Sequence, residues 1–198
     1  MRILSVNVGR PTEFLYRGRA VRTAIFKSPV EGRLAIHRLN LVGDEQADLS
    51  VHGGPDKAVY AYTRENYTYW EQVLGATLPF GQFGENLTVE GMPETEISIG
   101  DIFRMGSAVL QVSQPRTPCF KLGLKMGSPQ FLKTFLESGR TGFYLRVLEE
   151  GEVGAGDVIE ALSADPGRVT VREMTRRLYS PRSDRTRGRK RPMRREAP

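Results

Sequence analysis

The single cysteine of this 198-residue sequence, Cys119, lies in a stiff and positively charged stretch that reads SQPRTPCFKL. Two prolines just before it restrict the backbone, and Arg116 and Lys121 flank it on either side. Neighbouring cations favour a thiolate, which is both a nucleophile and a ligand for soft metals. Arg116 can hold a phosphate through paired hydrogen bonds, and Thr117 adds a hydroxyl. The alternative interpretation of a lone cysteine is a small buried hydrophobic residue.

A second stretch with chemical potential is HGGPDKAVYAY, which begins at His52. Gly53 and Gly54 allow positive φ angles and close approach of the backbone to a ligand, and successive N–H groups in such a turn can bind an anion. Lys57 adds a positive charge. His52 is a candidate proton donor, and Asp48 is a weaker one. An ordinary Gly-Gly-Pro-Asp turn with a surface lysine explains the same residues.

Two further polar residues stand at the ends of apolar stretches. Asn86 in FGENLTVEG can bind the edge of a heterocycle or close a turn, and Lys27 in TAIFKSPVEG can contact an anion or end a strand. Together the four stretches combine a candidate thiolate with cations, glycine-lined turns and polar hydrogen-bonding groups. That combination suits a soft metal carried by an anionic, phosphate-bearing organic cofactor.

The elements that must position these residues are predicted to be mostly strands. Short stretches bounded by Gly, Pro or Asp predict them: MRILSVNVG, AVRTAIFKSPV, GRLAIHRLNLVGDEQ, AVYAYT, ENLTVEG, DIFRMGSAVLQVSQ, GFYLRVLEEG and DVIEALS. Many short strands joined by Gly-rich turns favour a barrel or a sandwich. Two helices are predicted, one from a Thr63 cap to Gly75 and one from a Ser128 cap, with Pro129 in its first turn, to Gly139.

The net charge of +6 belongs to the C-terminal part of the chain. Residues 165–198 hold 12 Lys and Arg against 4 Asp and Glu, whereas residues 1–164 hold 17 against 19. We therefore predict a domain over 1–163, a segment with one short strand and helix over 164–180, and a disordered basic tail over 181–198. A solvated tail and an electrostatic arm for nucleic acid or an acidic partner are both open.

The cysteine count also limits the classes of protein. One cysteine excludes an intrachain disulfide and an iron–sulfur cluster or multi-cysteine zinc site built by this chain alone. No stretch has the length and apolar character of a secretory signal or a membrane span. We therefore expect a cytoplasmic protein without a membrane association.

The stretches HGGPDKAVYAY, FGENLTVEG, IGDIFRMGSAVLQVSQPRTPC and FKL resemble the MOSC domain, the C-terminal domain of molybdenum-cofactor sulfurase, in its YiiM-like bacterial branch. The resemblance extends from about Met1 to Leu162. It implies a mostly β (α+β) barrel with a few short peripheral helices that binds the molybdenum cofactor, with Cys119 as the metal ligand. The implied cofactor-binding residues are Lys27, His52, Gly53, Gly54, Lys57, Asn86, Arg116, Thr117 and Lys121. Pyridoxal phosphate binding is a further association of the family.

The resemblance implies an oxidoreductase that reduces N-hydroxylated compounds, such as hydroxylaminopurine and amidoximes, to amines. Electrons would come from a separate flavin or iron–sulfur protein, and Cys119, His52 and Asp48 would be the catalytic residues. YiiM-like proteins continue into a small helical domain, of which VTVREMTRRLYS resembles only the first segment. The alternatives are a cofactor carrier or sulfur-transfer module, a thiol-dependent hydrolase or transferase, and a nucleic-acid-binding β domain. The chain would be a monomer or a homodimer.

Overall fold

The computed structural model describes residues 1–16, 18–45 and 53–179, and within them the chain is mostly β. The strands are β1 (Arg2–Val8), β2 (Thr12–Tyr16), β3 (Arg19–Thr23), β4 (Ser28–Pro29), β5 (Arg33–Ile36), β6 (Val59–Thr63), β7 (Leu87–Glu90), β8 (Ile102–Met105), β9 (Ala108–Pro115), β10 (Phe143–Glu149), β11 (Gly151–Gly154) and β12 (Ile159–Ser163). The helices are α1 (Arg64–Leu74), α2 (Phe120–Lys125), α3 (Phe131–Ser138) and α4 (Val171–Tyr179), with a 3-10 turn at Pro55–Lys57. The prediction of a mostly β protein with few helices is confirmed.

Eight strands form one sheet in the order β12-β8-β9-β10-β6-β7-β1-β4. The sheet curls until its ends approach, because Ile3 N donates to Asp157 O at 2.9 Å and Ile159 N donates to Met1 O at 3.0 Å. Among the described residues, however, the edge strands β12 and β4 do not pair, so no closed barrel is found there and the barrel prediction is confirmed only as a curled sheet. The sheet is curled and open. Two small sheets, β11-β5 and β2-β3, flank it.

Strand β6 separates two hydrophobic cores because successive side chains of a strand point to opposite faces. Val59 and Ala61 face the aliphatic core, and Tyr60 and Tyr62 face the aromatic core. The aliphatic core includes Ile3, Val6, Ile36, Leu41, Leu87, Val89, Met92, Phe103, Met105, Leu110, Val112, Phe143, Leu145, Val147, Val153, Ile159 and Val171. The aromatic core comprises Tyr60, Tyr62, Tyr67, Trp70, Phe83, Leu122, Phe131 and Phe135.

The ends of helix α1 are as predicted. The Thr63 hydroxyl accepts a hydrogen bond from Asn66 N at 3.3 Å, and Gly75 closes the helix with a φ of 65°, a conformation that favours glycine. Helix α3 ends at Gly139 as predicted, but it begins at Phe131. The predicted Ser128 cap is wrong, because the Ser128 side chain contacts the Gln130 side chain and makes no capping bond.

Two other local predictions need correction. The stretch AVRTAIFKSPV is not one strand, because β3 ends at Thr23 and β4 begins at Ser28, leaving 24–27 as an irregular segment. The short helix α2 is absent from the predicted elements, because six residues that include Gly123 carry little helical pattern.

Helix α4 follows the last strand and buries Val171 and Thr175 against the rest of the fold. Val171 belongs to the aliphatic core, so this segment packs on the sheet. The domain boundary at 163 stays a prediction, and the predicted basic tail over 181–198 lies outside the described residues. No helix in the described ranges is long and apolar enough to span a bilayer.

Candidate active site

One pocket gathers most of the residues that the sequence singles out. Its cavity volume is about 100 Å³ and it opens to solvent, so a ligand of ordinary size would extend out of its mouth. The lining residues are Thr23, Ala24, Ile25, Lys27, Asp44, Glu45, Lys57, Tyr60, Gly84, Asn86, Arg116, Cys119, Lys121 and Tyr144. Six predicted site residues, from four separate segments of the chain, therefore meet at one place: Lys27, Lys57, Asn86, Arg116, Cys119 and Lys121.

Cys119 is half-buried at the N-terminal end of helix α2, where it occupies the cap position with an extended backbone. Strand β9 ends at Pro115, and Arg116 N donates to Gly142 O at 3.1 Å, which fixes the start of the loop. Leu122 N donates to the Cys119 carbonyl at 2.9 Å and closes the first turn of the helix. The thiol is therefore held between a sheet strand and a helix on a short, proline-stiffened connection.

Arg116 is the most unusual residue of the pocket because its side chain is a buried cation, 5 % exposed. Its guanidinium carbon lies 5.0 Å from the Tyr60 ring centre and 5.8 Å from that of Phe135, within cation–π range. None of the ion pairs between described residues includes Arg116, and its Nη1 has no hydrogen-bond partner there. A buried, unpaired N–H of a cation is costly, so this side chain is suited to receive an anion.

Lys27 and Asn86 are engaged in a buried polar network around Asp44. Lys27 Nζ donates to Asp44 Oδ1, and Asn86 Nδ2 donates to Asp44 Oδ2 at 2.9 Å. The side-chain oxygen Oδ1 of Asn86 accepts from Tyr60 N at 3.1 Å. Burial lowers the pKa of Lys27, and the neighbouring Asp44 carboxylate opposes that shift. Asn86 therefore lines the pocket with its polar atoms already bonded to protein, which makes it a wall residue in this structure.

Lys57 and Lys121 are half-buried cations on two sides of the pocket. Lys57 ends the 3-10 turn and its N–H donates to Gly54 O at 3.0 Å. Gly54 has a φ of 96°, which is why glycine suits that position. Gly53 and Gly54 are described but do not line the pocket, so the predicted anion turn contributes through the placement of Lys57.

Of the remaining predicted site residues, the described Thr117 does not line the pocket. Thr117 is exposed, and its hydroxyl accepts a hydrogen bond from Tyr179 OH at 2.5 Å. His52 and Asp48 lie outside the described residues, so their assignment as proton donors stays a prediction.

The lining residues that escape the sequence analysis include Asp44, Tyr60 and Tyr144. Asp44 stands in a stretch that reads as a turn, and the two tyrosines read as ordinary strand residues. Burial raises the pKa of both tyrosine hydroxyls, and the nearby Arg116 cation opposes each shift. Both hydroxyls are therefore protonated at neutral pH.

Lys125 does not line the pocket, but it bonds to the loops beside it. Its Nζ donates to Ile25 O at 3.0 Å and to Gly81 O at 2.6 Å, which joins the last turn of helix α2 to two loops. Burial lowers the pKa of Lys125 to about 8, while Coulombic attraction to Glu85 opposes the shift and repulsion from Lys27 adds to it. No local pattern identifies this role, since the bonded carbonyls are remote in sequence.

The described residues contain no group of three or more His, Cys, Asp and Glu side chains that could hold a metal ion.

The family model of the MOSC domain matches residues 48–160, which include the loop of Cys119 and most strands of the sheet. The chain belongs to the MOSC domain family. The resemblance seen in its motifs is thereby confirmed.

The relatives place the chain among the YiiM-like MOSC proteins. It is 46% identical over 177 residues to the uncharacterized protein YflK of Bacillus subtilis, covering 89% of this chain and 80% of that protein. Protein YiiM of Escherichia coli is 42% identical over 156 residues, covering 76% of this chain and 68% of that protein. A Gibberella moniliformis protein named Reductase is 37% identical over 164 residues, which cover 81% of this chain but 29% of that larger protein.

The fold agrees with a solved MOSC structure. The crystal structure of YiiM from Geobacillus stearothermophilus superposes with a TM-score of 0.76 at 35% identity, covering 90% of this chain and 84% of that one. The curled sheet and its helices are thus the architecture of a YiiM-like protein.

Proposed function

We propose that this MOSC protein binds a molybdenum cofactor in the pocket beside Cys119 and reduces N-hydroxylated compounds to amines. The observation that carries the proposal is the buried Arg116, whose Nη1 has no partner among the described residues and lies in a pocket that also holds a cysteine and three lysines. An anionic organic cofactor would satisfy that cation, and its metal would meet the thiolate. The name of the fungal Reductase supports an oxidoreductase.

The donor set fits such a group in two respects. Arg116, Lys57 and Lys121 would bind its anionic substituents, and Cys119 Sγ would be the ligand from the protein to molybdenum. Since the described residues include no cluster of three metal-ligating side chains, the remaining metal ligands would come from the cofactor's own sulfur atoms. When bound, the cofactor supplies the redox chemistry that converts an N-hydroxyl group, two electrons and two protons into an amine and water.

In the proposed reaction, the residues of this chain bind the cofactor, hold the walls of the pocket in place and deliver protons. The protonated Tyr144 hydroxyl lies beside Arg116 and supplies a neutral hydrogen-bond donor at the pocket. The Lys27–Asp44 pair holds one wall, and Lys125 holds helix α2 against that wall. His52, with Asp48 as a weaker candidate, would deliver protons. A separate flavin or iron–sulfur protein would supply electrons, since one cysteine cannot build an iron–sulfur cluster within this chain.

The test is elemental analysis with pterin fluorescence on protein from a cofactor-producing host, followed by an amidoxime reduction assay. We expect near-stoichiometric molybdenum in the wild type and no reduction by Cys119→Ser. Arg116→Met removes a charge-assisted bond worth about 1.5–3 kcal/mol, so cofactor retention should fall roughly 10- to 150-fold. Lys133→Met removes an exposed cation outside the pocket and is the matched control.

Two outcomes would contradict parts of the proposal. Full activity of Cys119→Ser would exclude the cysteine as the essential metal ligand. Bound cofactor without any turnover, given a competent reductant, would favour the alternative of a cofactor carrier or sulfur-transfer module.

A further inference from the structure

The β2–β3 hairpin (12–23) forms a sheet of its own, apart from the main sheet. Its aromatic rings contact two segments that contribute residues to the pocket, 24–27 and the start of helix α2. Its strands pair only with each other among the described elements. The Phe14 ring stacks on Phe26 with 4.1 Å between ring centres, and the Tyr16 ring meets Phe120 at 5.8 Å. The hairpin therefore spans from the wall segment 24–27 to the start of helix α2.

Both supporting rings are next to pocket residues in the chain. Phe26 stands between Ile25 and Lys27, and Phe120 stands between Cys119 and Lys121. Phe120 itself does not line the pocket and is 45 % exposed, although it adjoins the thiol that the proposed reaction requires. A half-exposed phenylalanine beside a candidate catalytic centre, with a tyrosine ring against it, is a surface to which a flat conjugated molecule can stack.

The two faces of the hairpin differ in a way that provides an internal control. In the antiparallel register Phe14 pairs with Val21 and Leu15 pairs with Ala20, so neighbouring residues alternate between faces. Phe14 and Tyr16 turn toward the pocket segments, whereas Leu15 is 79 % exposed on the opposite face. Leu15 thus lies in the same strand as Tyr16 without sharing its contact.

We propose that Tyr16 and Phe120 form an aromatic rim that makes the site selective for substrates whose N-hydroxyl group is attached to a flat conjugated system. This inference rests on the proposed function. The rim would stack on the substrate body while the N-hydroxyl group enters the pocket beside Cys119. The two rings act on binding and orientation and take no part in electron or proton transfer.

The experiment compares benzamidoxime with acetamidoxime, which share the reacting group and differ in the ring. Molybdenum-loaded wild type, Tyr16→Leu, Phe120→Leu and Leu15→Ala are assayed with reduced methyl viologen, so that docking of a protein donor does not enter. Rates are normalised to molybdenum content. We expect the benzamidoxime to acetamidoxime ratio of kcat/KM to fall about 3- to 10-fold in Tyr16→Leu and in Phe120→Leu. Leu15→Ala should leave the ratio unchanged.

An unchanged ratio in both ring variants, or an equal change in Leu15→Ala, would overturn the rim. Binding of benzamidoxime without reductant, measured by titration calorimetry on the same four proteins, separates this inference from the proposed function. Weaker binding confined to the ring variants would support the rim even if no substrate were reduced. Reduction of both amidoximes with equal benzamidoxime binding in all four proteins would leave the function standing and reject the rim.

Discussion

The aliphatic and aromatic cores share strand β6 and differ in what lies beside them. The aliphatic core fills the curve of the sheet with side chains that carry no hydrogen-bonding groups apart from its methionine sulfurs. The aromatic core lies next to the buried ionisable groups Glu85 and Arg116, each 5 % exposed or less. The candidate site thus stands against the aromatic core.

The difference follows from the chemistry of the rings. Tyr67 OH donates to Glu85 Oε1 at 2.5 Å, and Trp70 Nε1 donates to Tyr62 OH at 2.7 Å, so the rings bury apolar area and also satisfy polar groups. Burial raises the pKa of Glu85, and hydrogen bonds, foremost the one from Tyr67, oppose that shift. An aliphatic core offers no such partners, which is why a charged pocket is better supported by the aromatic one.

The largest loss of stability is expected from a substitution that leaves a cavity in the aliphatic core. Leu110→Ala removes a fully buried side chain of β9, so we expect the free energy of unfolding to fall by about 2–5 kcal/mol. Molybdenum content per folded molecule should not change, because Leu110 does not line the pocket. Urea denaturation measures the first quantity and elemental analysis the second. Leu39→Ala, at a 57 % exposed position, is the control, and a selective loss of cofactor in Leu110→Ala would mean that the cores are not separable in function.

A smaller and pH-dependent effect is expected from Lys125, beside the aromatic core. Its pKa of about 8 lies below the ordinary lysine value of 10.5, so between these values the unfolded chain binds more protons than the folded one. The wild type should therefore gain about 2 kcal/mol of stability relative to Lys125→Met between about pH 7.5 and about pH 9.5. Urea denaturation at both pH values measures the difference. A parallel pH dependence in the two proteins would show that Lys125 titrates as an ordinary surface lysine, and Lys133→Met is the exposed control.

The smallest expected change in stability comes from substituting either of two phenylalanines in helix α3, and cofactor retention should distinguish the two variants. Phe135 lies 5.8 Å from the Arg116 guanidinium, whereas Phe131, one turn earlier in α3, packs on Trp70. Substitution of either by leucine should reduce stability by about 1 kcal/mol. Phe135→Leu alone should also weaken cofactor retention, by about 2- to 5-fold, through the lost cation–π contact. Equal retention in the two variants, measured as molybdenum remaining after dialysis against a chelator, would count against a role of Phe135 in positioning Arg116.

Much of the fold can be predicted from local pattern, because alternation and glycine-bounded turns identify most strands, and Thr63 and Gly75 delimit helix α1. The openness of the sheet cannot be predicted in this way, since it depends on which edges pair across the whole chain. Within the pocket, Cys119, Arg116 and Lys121 can be predicted because two cations flank a lone thiol in the sequence, whereas Lys27 and Lys57 are singled out by their own stretches. Asp44 and Lys125 are not, because their partners, Lys27 and the carbonyls of Ile25 and Gly81, are distant along the chain. Asn86 is found by its motif, but only the fold shows that its amide is already bonded.

The closing contact of the curled sheet also orders events during synthesis. Strand β1 leaves the ribosome before the other strands of this sheet, yet it pairs with β7 and its start is bonded to residues 156–159. The hydrogen bonds of this strand therefore stay incomplete until nearly the whole domain has emerged. Its apolar residues Ile3 and Val6 stay without their core partners during that interval, so we expect β1 to be the strand of this sheet that is longest exposed to premature association.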